Sequence, residues 1–303
     1  MPSFVNNADN PGDLAIQAFL ATELNETDCA RPLFTVIPVP YEETVSYGGG
    51  TCRGPAAILD ASQQLERWDG RSEPATAGIA TAPAIDCRGE AGEVLARVEK
   101  EVARVVAGGG IPVLLGGEHT VTLGAVRALA RRREEPLGIV QLDAHADLRA
   151  SYGGSLFSHA CVMHRALEEF DCRLFQFGVR ALCREEVEYR QARGVAHLDG
   201  PALHGADLRK FSLPGNFPKE IYLTLDVDGL DPSVIGATGT PVPGGPGWYD
   251  TLIFLERALA GRRLVGFDLV ELAPRPGDHG ANFAAAQLVY LVMGMVVRNQ
   301  VGG

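Results

Sequence analysis

Two short acidic segments of the sequence carry side chains that could bind metal ions. Asp143, His145 and Asp147 occupy alternate positions directly after an apolar run, and Asp226 and Asp228 repeat this spacing after a second apolar run. On an extended segment, alternate side chains point to the same face, so each group can present its ligand atoms together. Taken alone, the first group could also be a helix cap next to a core histidine that is satisfied by hydrogen bonds.

A third apolar run ends in Gly116-Gly117-Glu118-His119, where the glycines allow a sharp turn that presents the histidine. Buried aspartates are very costly without a counter-charge, and bound cations remove that cost. Together the three segments offer two histidines and four aspartates, an oxygen-rich set that suits Mn²⁺ better than Zn²⁺. Bridging carboxylates would hold two such ions about 3.5–4 Å apart, where they make a hydroxide from one water. We therefore favour a binuclear metal site over the purely structural interpretation.

Apolar, β-branched runs alternate with amphipathic segments along the chain, which predicts a parallel sheet with helices on both faces. In such sheets ligands bind beyond the carboxyl ends of the strands. The three metal-capable segments lie at such ends. The predicted strands span residues 33–40, 111–117, 137–144, 174–180, 194–199, 221–228 and 263–272, and the predicted helices span residues 54–66, 90–107, 120–133, 159–169, 183–193, 248–260 and 281–298.

The composition favours one globular domain. The 303 residues are 46% hydrophobic and contain no repeat or long linker, so we expect a single domain over residues 1–303. Residues 1–30 form an N-terminal extension that belongs to the same domain or to oligomer contacts. Six cysteines without a C-x-x-C pair indicate reduced thiols.

The net charge and the apolar segments limit the partners. A net charge of −11 argues against a nucleic acid partner and fits a small cationic substrate. Apolar stretches such as 284–297 are too short or too interrupted for a membrane span of about 20 residues. The N-terminus lacks the basic and apolar regions of a signal peptide, so we predict a cytoplasmic protein without membrane partners.

The segments GGEHT, DAHAD, SHA, DVDGLDPS and DLVELAP, in this order, resemble the signature motifs of the ureohydrolases, the family of arginase and agmatinase. The resemblance covers most of the chain and implies an α/β fold in which a mainly parallel eight-stranded sheet lies between two helical layers, as in arginases and deacetylases. It also implies a homo-oligomer, a trimer or hexamer, with two Mn²⁺ per subunit. One ion would be held by His119, Asp143, Asp147 and Asp226, and the other by Asp143, His145, Asp226 and Asp228.

The same resemblance assigns catalytic roles. His159 would deliver a proton to the leaving amine, a role that suits an imidazole titrating near neutrality. Glu271 would pair with the guanidinium, whose planar fork can meet a carboxylate with two hydrogen bonds. The predicted catalytic residues are therefore His159, Glu271 and Asp147, and the implied reaction is attack of a metal-bridging hydroxide on the guanidinium carbon, which releases urea and an amine.

Several residues bear on the substrate. Arginases carry an asparagine where this chain has Arg149, and segments 236–245 and 271–294 resemble agmatinases more closely, so agmatine is the leading substrate. Aminopropylagmatine, guanidinobutyrate, guanidine and arginine stay open as alternatives. Arg149 could instead bind a substrate carboxylate in a guanidino-acid or formimidoyl-glutamate hydrolase. We also consider that Glu42 or Glu43 receives a distal ammonium group of the substrate.

Two alternatives belong to other classes of protein. A single-metal deacetylase shares the architecture but does not keep both the D-x-H-x-D and D-x-D sets. A catalytically silent relative that acts as a regulatory subunit would keep the metals without turnover.

Overall fold

The computed structural model describes residues 17–25, 28 and 31–301, and in these residues eight parallel strands form one sheet. The order across the sheet is β2-β1-β3-β8-β7-β4-β5-β6, with every neighbouring pair parallel. The strands are β1 Phe34–Val39, β2 Ile79–Thr81, β3 Ile111–Gly116, β4 Leu137–Leu142, β5 Cys172–Phe177, β6 Ala196–Leu198, β7 Glu220–Asp226 and β8 Arg263–Val270.

Helices cover both faces of the sheet. The described helices are α1 Gly54–Ala61, α2 Ala91–Ala107, α3 Thr122–Ala130, α4 Val162–Glu169, α5 Arg184–Ala192, α6 Gly200–Leu203, α7 Trp248–Leu259 and α8 His279–Val296. α1, α7 and α8 share one apolar core with the sheet, and α2, α3 and α4 share a second. The prediction of an eight-stranded sheet between two helical layers is confirmed. Most of the N-terminal extension lies outside the described residues.

The last helix is the most apolar. Residues 279–299 are long and apolar enough to cross a membrane by length and composition alone. In the fold, α8 packs along α1, and most of its apolar side chains are buried. The apolar composition of α8 is therefore explained by its burial as a core helix.

The strands and helices depart from the predicted bounds where the chain turns into the site. β4 and β7 end at Leu142 and Asp226, earlier than predicted, and short 3-10 turns precede α3 and α4. β2 was not predicted because three residues are too few to show a period. The prediction that residues 143–147 continue an extended segment is wrong at Asp147, whose backbone is left-handed with φ of 54°.

The sheet order explains the position of the site. β3, β8, β7 and β4 are consecutive at the centre of the sheet. His119, Glu271, Asp226 and Asp143 all lie within a few residues of the carboxyl ends of these four strands. Segments that are distant in sequence therefore converge on one edge of the sheet, as expected for a parallel α/β fold.

Candidate metal centre

His119 lies at the centre of the first ligand group and is buried. Its Nδ1 is 2.9 Å from Asp147 Oδ2, 3.2 Å from Asp143 Oδ2 and 3.4 Å from Asp226 Oδ2. Within the described part of the chain, Nδ1 has no partner in hydrogen-bonding geometry. A buried ring nitrogen that faces three carboxylate oxygens without a hydrogen bond is the arrangement that a bound cation would complete.

The opposite side of the His119 ring is fixed. Nε2 is 2.8 Å from Thr224 Oγ1, and the Thr224 hydroxyl donates to Asp268 Oδ1 at 2.7 Å. Because the single hydroxyl proton of Thr224 goes to Asp268, the Thr224 oxygen accepts from Nε2–H. Nδ1 is therefore the atom that His119 offers to the carboxylates, as in metal sites where a second hydrogen bond orients the histidine ligand.

Asp143 connects a second ligand group to the first. Its Oδ1 is 3.6 Å from His145 Nδ1, which is also 3.1 Å from Asp228 Oδ2. The ligand atoms of His119, Asp143 and Asp147 lie within 4.8 Å of one another, and so do those of Asp143, His145 and Asp228. Asp143 belongs to both groups, with one oxygen toward each histidine, so it is placed to bridge two ions.

The charges of this cluster balance only when protons or cations are present. Burial and the charge of Asp143 raise the pKa of Asp147 to about 7. Burial opposes the charged form of His145, but its contacts with the carboxylates of Asp143 and Asp228 outweigh this and raise its pKa to about 12. Burial also raises the pKa of Asp226. Without cations the cluster retains protons near neutral pH, and divalent ions would replace them.

Two functional candidates have strained backbones. Asp147 and Glu271 adopt φ of 54° and 64°, in the left-handed region that costs about 1–3 kcal/mol for residues other than glycine. At Asp147 the turn has a clear use, because its carbonyl accepts from the amides of Met163 and His164 in α4 while its carboxylate reaches His119. Strain at both positions indicates that the surrounding fold holds them in place.

Glu271 supports His119 and faces the cavity. Its amide donates to Gly117 O at 2.8 Å, and its Oε1 accepts from the His119 amide at 2.6 Å. Burial raises the pKa of Glu271 well above its ordinary value. A buried carboxylate next to an open position is suited to a cationic guanidinium, whose charge would favour the ionised form.

His159 lies opposite, under a loop formed by residues 42–50. Its Nε2 is 2.9 Å from Ser46 Oγ, and its Nδ1 is 3.1 Å from Thr44 Oγ1. The Tyr152 ring is nearly perpendicular to the imidazole, with ring centroids 5.9 Å apart. Burial lowers the pKa of His159, which favours the neutral ring.

A cavity of about 20 Å³ joins the two ligand groups, His159 and Glu271. This volume is close to the minimum for one water molecule, so the walls of the cavity lie close together. Two loops form these walls, and they meet at Gly48 and Gly239. The lining residues are Val45, Ser46, Gly48, His119, His145, Asp147, His159, Asp226, Asp228, Gly239, Thr240 and Glu271.

The other predicted substrate contacts are not in this cavity. The Arg149 guanidinium lies 5.1 Å from the centre of the Tyr152 ring and does not line the cavity. Glu42 accepts from the amides of Gly50 and Cys52, and Glu43 accepts from the Tyr41 hydroxyl. These contacts give no support to substrate-binding roles for Arg149, Glu42 or Glu43.

Sequence reasoning missed the residues that hold the loops in position. Thr240 donates to Asp228 Oδ2 at 3.1 Å, and the Arg180 guanidinium donates to the carbonyls of Asp228 and Val242. Arg180 thereby ties the loop that carries Asp228 to the loop that carries Thr240. Only the position of Arg180 just after β5, at the carboxyl edge of the sheet, could have indicated this role.

Comparisons with known proteins agree with this geometry. The chain matches the arginase family model over residues 33–294. It is 37% identical over 282 residues to the N(1)-aminopropylagmatine ureohydrolase of Synechocystis sp., covering 88% of this chain and 90% of that protein. It is 32% identical over 284 residues to the agmatinase of Pyrococcus horikoshii, covering 91% and 96%. The agmatine ureohydrolase structure of Thermoplasma volcanium matches with a TM-score of 0.83 and 30% identity, covering 93% and 95%.

The three-layer fold and the cluster at its carboxyl edge define an α/β enzyme with the arginase architecture. The chain belongs to the arginase family. The prediction of a hydrolase that acts on amidino C–N bonds is thereby confirmed.

Proposed function

We propose that this enzyme hydrolyses a guanidino amine to urea and the corresponding amine, with two Mn²⁺ bound per chain. The observation that carries the proposal is the unsatisfied, buried His119 Nδ1 among three carboxylate oxygens, next to a second group that shares Asp143. The donor set is rich in carboxylate oxygen with two imidazoles and no thiolate, which suits Mn²⁺.

Six residues have the proposed role of metal binding. The ions would be held by His119, Asp143, Asp147, Asp226, His145 and Asp228, of which Asp143 belongs to both ligand groups. When bound, the two ions supply a nucleophile by lowering the pKa of a water molecule, and they stabilise developing negative charge.

Glu271 and His159 act on the substrate. Glu271 pairs with the guanidinium and holds its carbon over the ligand groups. His159 donates a proton to the nitrogen that leaves, because amines depart as neutral species only after protonation. The raised pKa of Glu271 fits a site that is completed by a cation, and the lowered pKa of His159 fits a ring that takes up and returns a proton.

The substrate we propose is agmatine or N1-aminopropylagmatine. The relative with 37% identity bears the name of an aminopropylagmatine ureohydrolase, and the relative with 32% identity is an agmatinase. The net charge of −11 favours encounter with molecules that carry two or three positive charges. We also propose a cytoplasmic homo-oligomer, a trimer or hexamer, that binds neither nucleic acid nor membrane. A solution mass of three or six times 32.3 kDa would support the assembly, and a monomer would contradict it.

The test is urea release by the Mn²⁺-loaded protein from agmatine, aminopropylagmatine, arginine, guanidinobutyrate and guanidine, with metal counted on the same sample. The proposal predicts about two metals per chain and fastest release from agmatine or aminopropylagmatine. Fastest release from guanidinobutyrate would indicate that the substrate is a guanidino acid and not a guanidino amine. Two metals without urea from any substrate would indicate a catalytically silent relative.

A further inference from the structure

Glu118 is a buried carboxylate outside the metal ligand set. Within the described residues it forms no ion pair with a basic side chain, and four donors surround it. Its Oε2 accepts from the amides of Glu43 and Thr44 at 2.6 and 2.7 Å. Its Oε1 accepts from the hydroxyls of Thr44 and Thr120 at 2.8 and 2.6 Å. Four donors on one side chain are the environment of a carboxylate that only accepts hydrogen bonds.

Thr44 connects Glu118 to His159. A threonine hydroxyl has one proton, and that of Thr44 goes to the Glu118 carboxylate, the strongest acceptor within its reach. The lone pairs of Thr44 Oγ1 therefore face His159, where the oxygen lies 3.1 Å from both the backbone nitrogen and Nδ1. Ser158 Oγ is a longer alternative for Nδ1, at 3.4 Å. In this arrangement Nδ1 carries the proton of the neutral ring.

The unprotonated nitrogen of the His159 ring, Nε2, then points to the cavity. Nε2 is 2.9 Å from Ser46 Oγ, and both Ser46 and His159 line the cavity. With Nδ1 protonated, Nε2 offers a lone pair and the Ser46 hydroxyl donates to it. A ring in the opposite tautomer would place N–H toward Ser46 and have no lone pair there to accept a proton.

We infer that Glu118 and Thr44 are positioning residues that fix the tautomer of His159, so that Nε2 is the atom that exchanges protons with the substrate. The kinetic part of this inference rests on the proposed function, in which His159 protonates the leaving amine. The tautomer itself is a property of the resting chain and is measured without turnover. The same hydrogen bonds attach the loop of residues 42–50 to the turn that carries His119, so the loop and the imidazole are held in place together.

The direct test is ¹⁵N NMR of histidine-labelled, metal-free protein at a pH where His159 is neutral. The His159→Asn variant identifies the signals by their loss. The inference predicts a protonated Nδ1 and an unprotonated Nε2 in the unsubstituted protein. A protonated Nε2 would overturn it, whether or not the protein releases urea.

Variants of the two threonines provide the matched comparison. Thr44→Val removes the hydroxyl with little change of shape, and it should shift the His159 signals toward the other tautomer, whereas Thr44→Ser should keep them. Thr120→Val removes a donor to the same Glu118 oxygen without touching His159, so its tautomer should remain that of the unsubstituted protein. Unchanged His159 signals in Thr44→Val would contradict the inference.

Kinetics then test the role in turnover. We expect Thr44→Val to lower kcat about 10- to 100-fold, a part of what general acid–base catalysis contributes, with KM and the bound metal nearly unchanged. Thr44→Ser should recover most of the rate. An equal loss in Thr44→Val and Thr44→Ser would contradict the positioning role. If the tautomer is as predicted but no substrate yields urea, the proposed function fails while the structural inference stands.

Discussion

His119 Nδ1 and Asp147 Oδ2 lie 2.9 Å apart, although β3 and β4, the strands before them, are separated by β8 and β7 in the sheet. The pair therefore joins side chains from the carboxyl ends of the outer two of the four central strands. Because those strands belong to one rigid sheet, the ligand atoms are arranged before any ion binds. Such an arrangement would be a preorganised site, in which bound ions would connect the three segments that follow β3, β4 and β7.

Metal removal should lower stability. At an ion concentration about 100 times Kd, binding to the folded state contributes about 2.7 kcal/mol, which corresponds to about 4 °C in Tm for a chain of this size. The measurement is thermal unfolding with Mn²⁺ and with a chelator. Asp147→Asn should reduce the difference, because it removes one carboxylate from the first ligand group. Equal Tm values with and without Mn²⁺ would contradict the proposed site.

Glu271→Gln should lower kcat/KM about 100-fold or more, because the amide can still accept from the His119 amide but lacks the charge that pairs with the guanidinium. Metal content should stay that of the unsubstituted protein. Glu43→Gln is the matched control, since Glu43 is exposed and does not line the cavity. Similar kinetics for both variants would argue against the role of Glu271.

His159 should make stability depend on pH. Burial lowers its pKa below the value of about 6.5 in an unfolded chain. The unfolded state therefore binds the proton more readily, and the protein loses stability as the pH falls below about 6.5 toward the folded pKa. The His159→Asn variant lacks this group. When the unfolding free energies of both metal-free proteins are measured between pH 8 and pH 5.5, the unsubstituted protein should lose more stability toward acid pH. A difference in unfolding free energy that does not vary with pH would show that His159 is not buried in its neutral form.

Gly239→Ala should disturb the cavity walls. A Cβ at Gly239 would lie 2.6 Å from the carbonyl oxygen of Gly48, so the two loops must separate. Overpacking of this kind costs about 1–3 kcal/mol, and we expect kcat/KM to fall about 10-fold with a lower Tm. Gly247→Ala is the control, because its nearest neighbour is 4.0 Å away. If Gly239→Ala matches the control in rate and stability, the close loop contact is not needed.

The cluster of histidines and aspartates could be predicted from the sequence because these residues follow apolar strands, and the ends of parallel strands must meet at one edge of a sheet. That they bind metal ions stays a prediction. The fold class could be predicted from the alternation of apolar strands and amphipathic helices along the chain. The left-handed turn at Asp147 could not be predicted, since residues other than glycine adopt it only when tertiary contacts compensate its cost. The role of Glu118 could not be predicted either, because its hydrogen bonds to Thr44 join residues 74 positions apart. Thr44 lies in a loop, which has no sequence periodicity that would indicate this contact.

The substrate-binding roles considered for Arg149, Glu42 and Glu43 stay predictions, and these side chains have other contacts in the structure. Arg149 was assigned from its place in a motif, yet its guanidinium packs on Tyr152. Glu42 was considered for its position after β1, yet the amides of the following turn already satisfy its carboxylate. Loop side chains are directed by local hydrogen bonds, and a pattern of strands and helices carries no information on those bonds.

The most direct test of the account is a titration of metal-free protein with Mn²⁺, in which urea formation from agmatine and from aminopropylagmatine is recorded at each addition. The account predicts that activity rises until two ions are bound per chain and then stays constant, since both ligand groups are needed for the nucleophile. Full activity at one ion per chain, or no urea at saturation with either substrate, would contradict it.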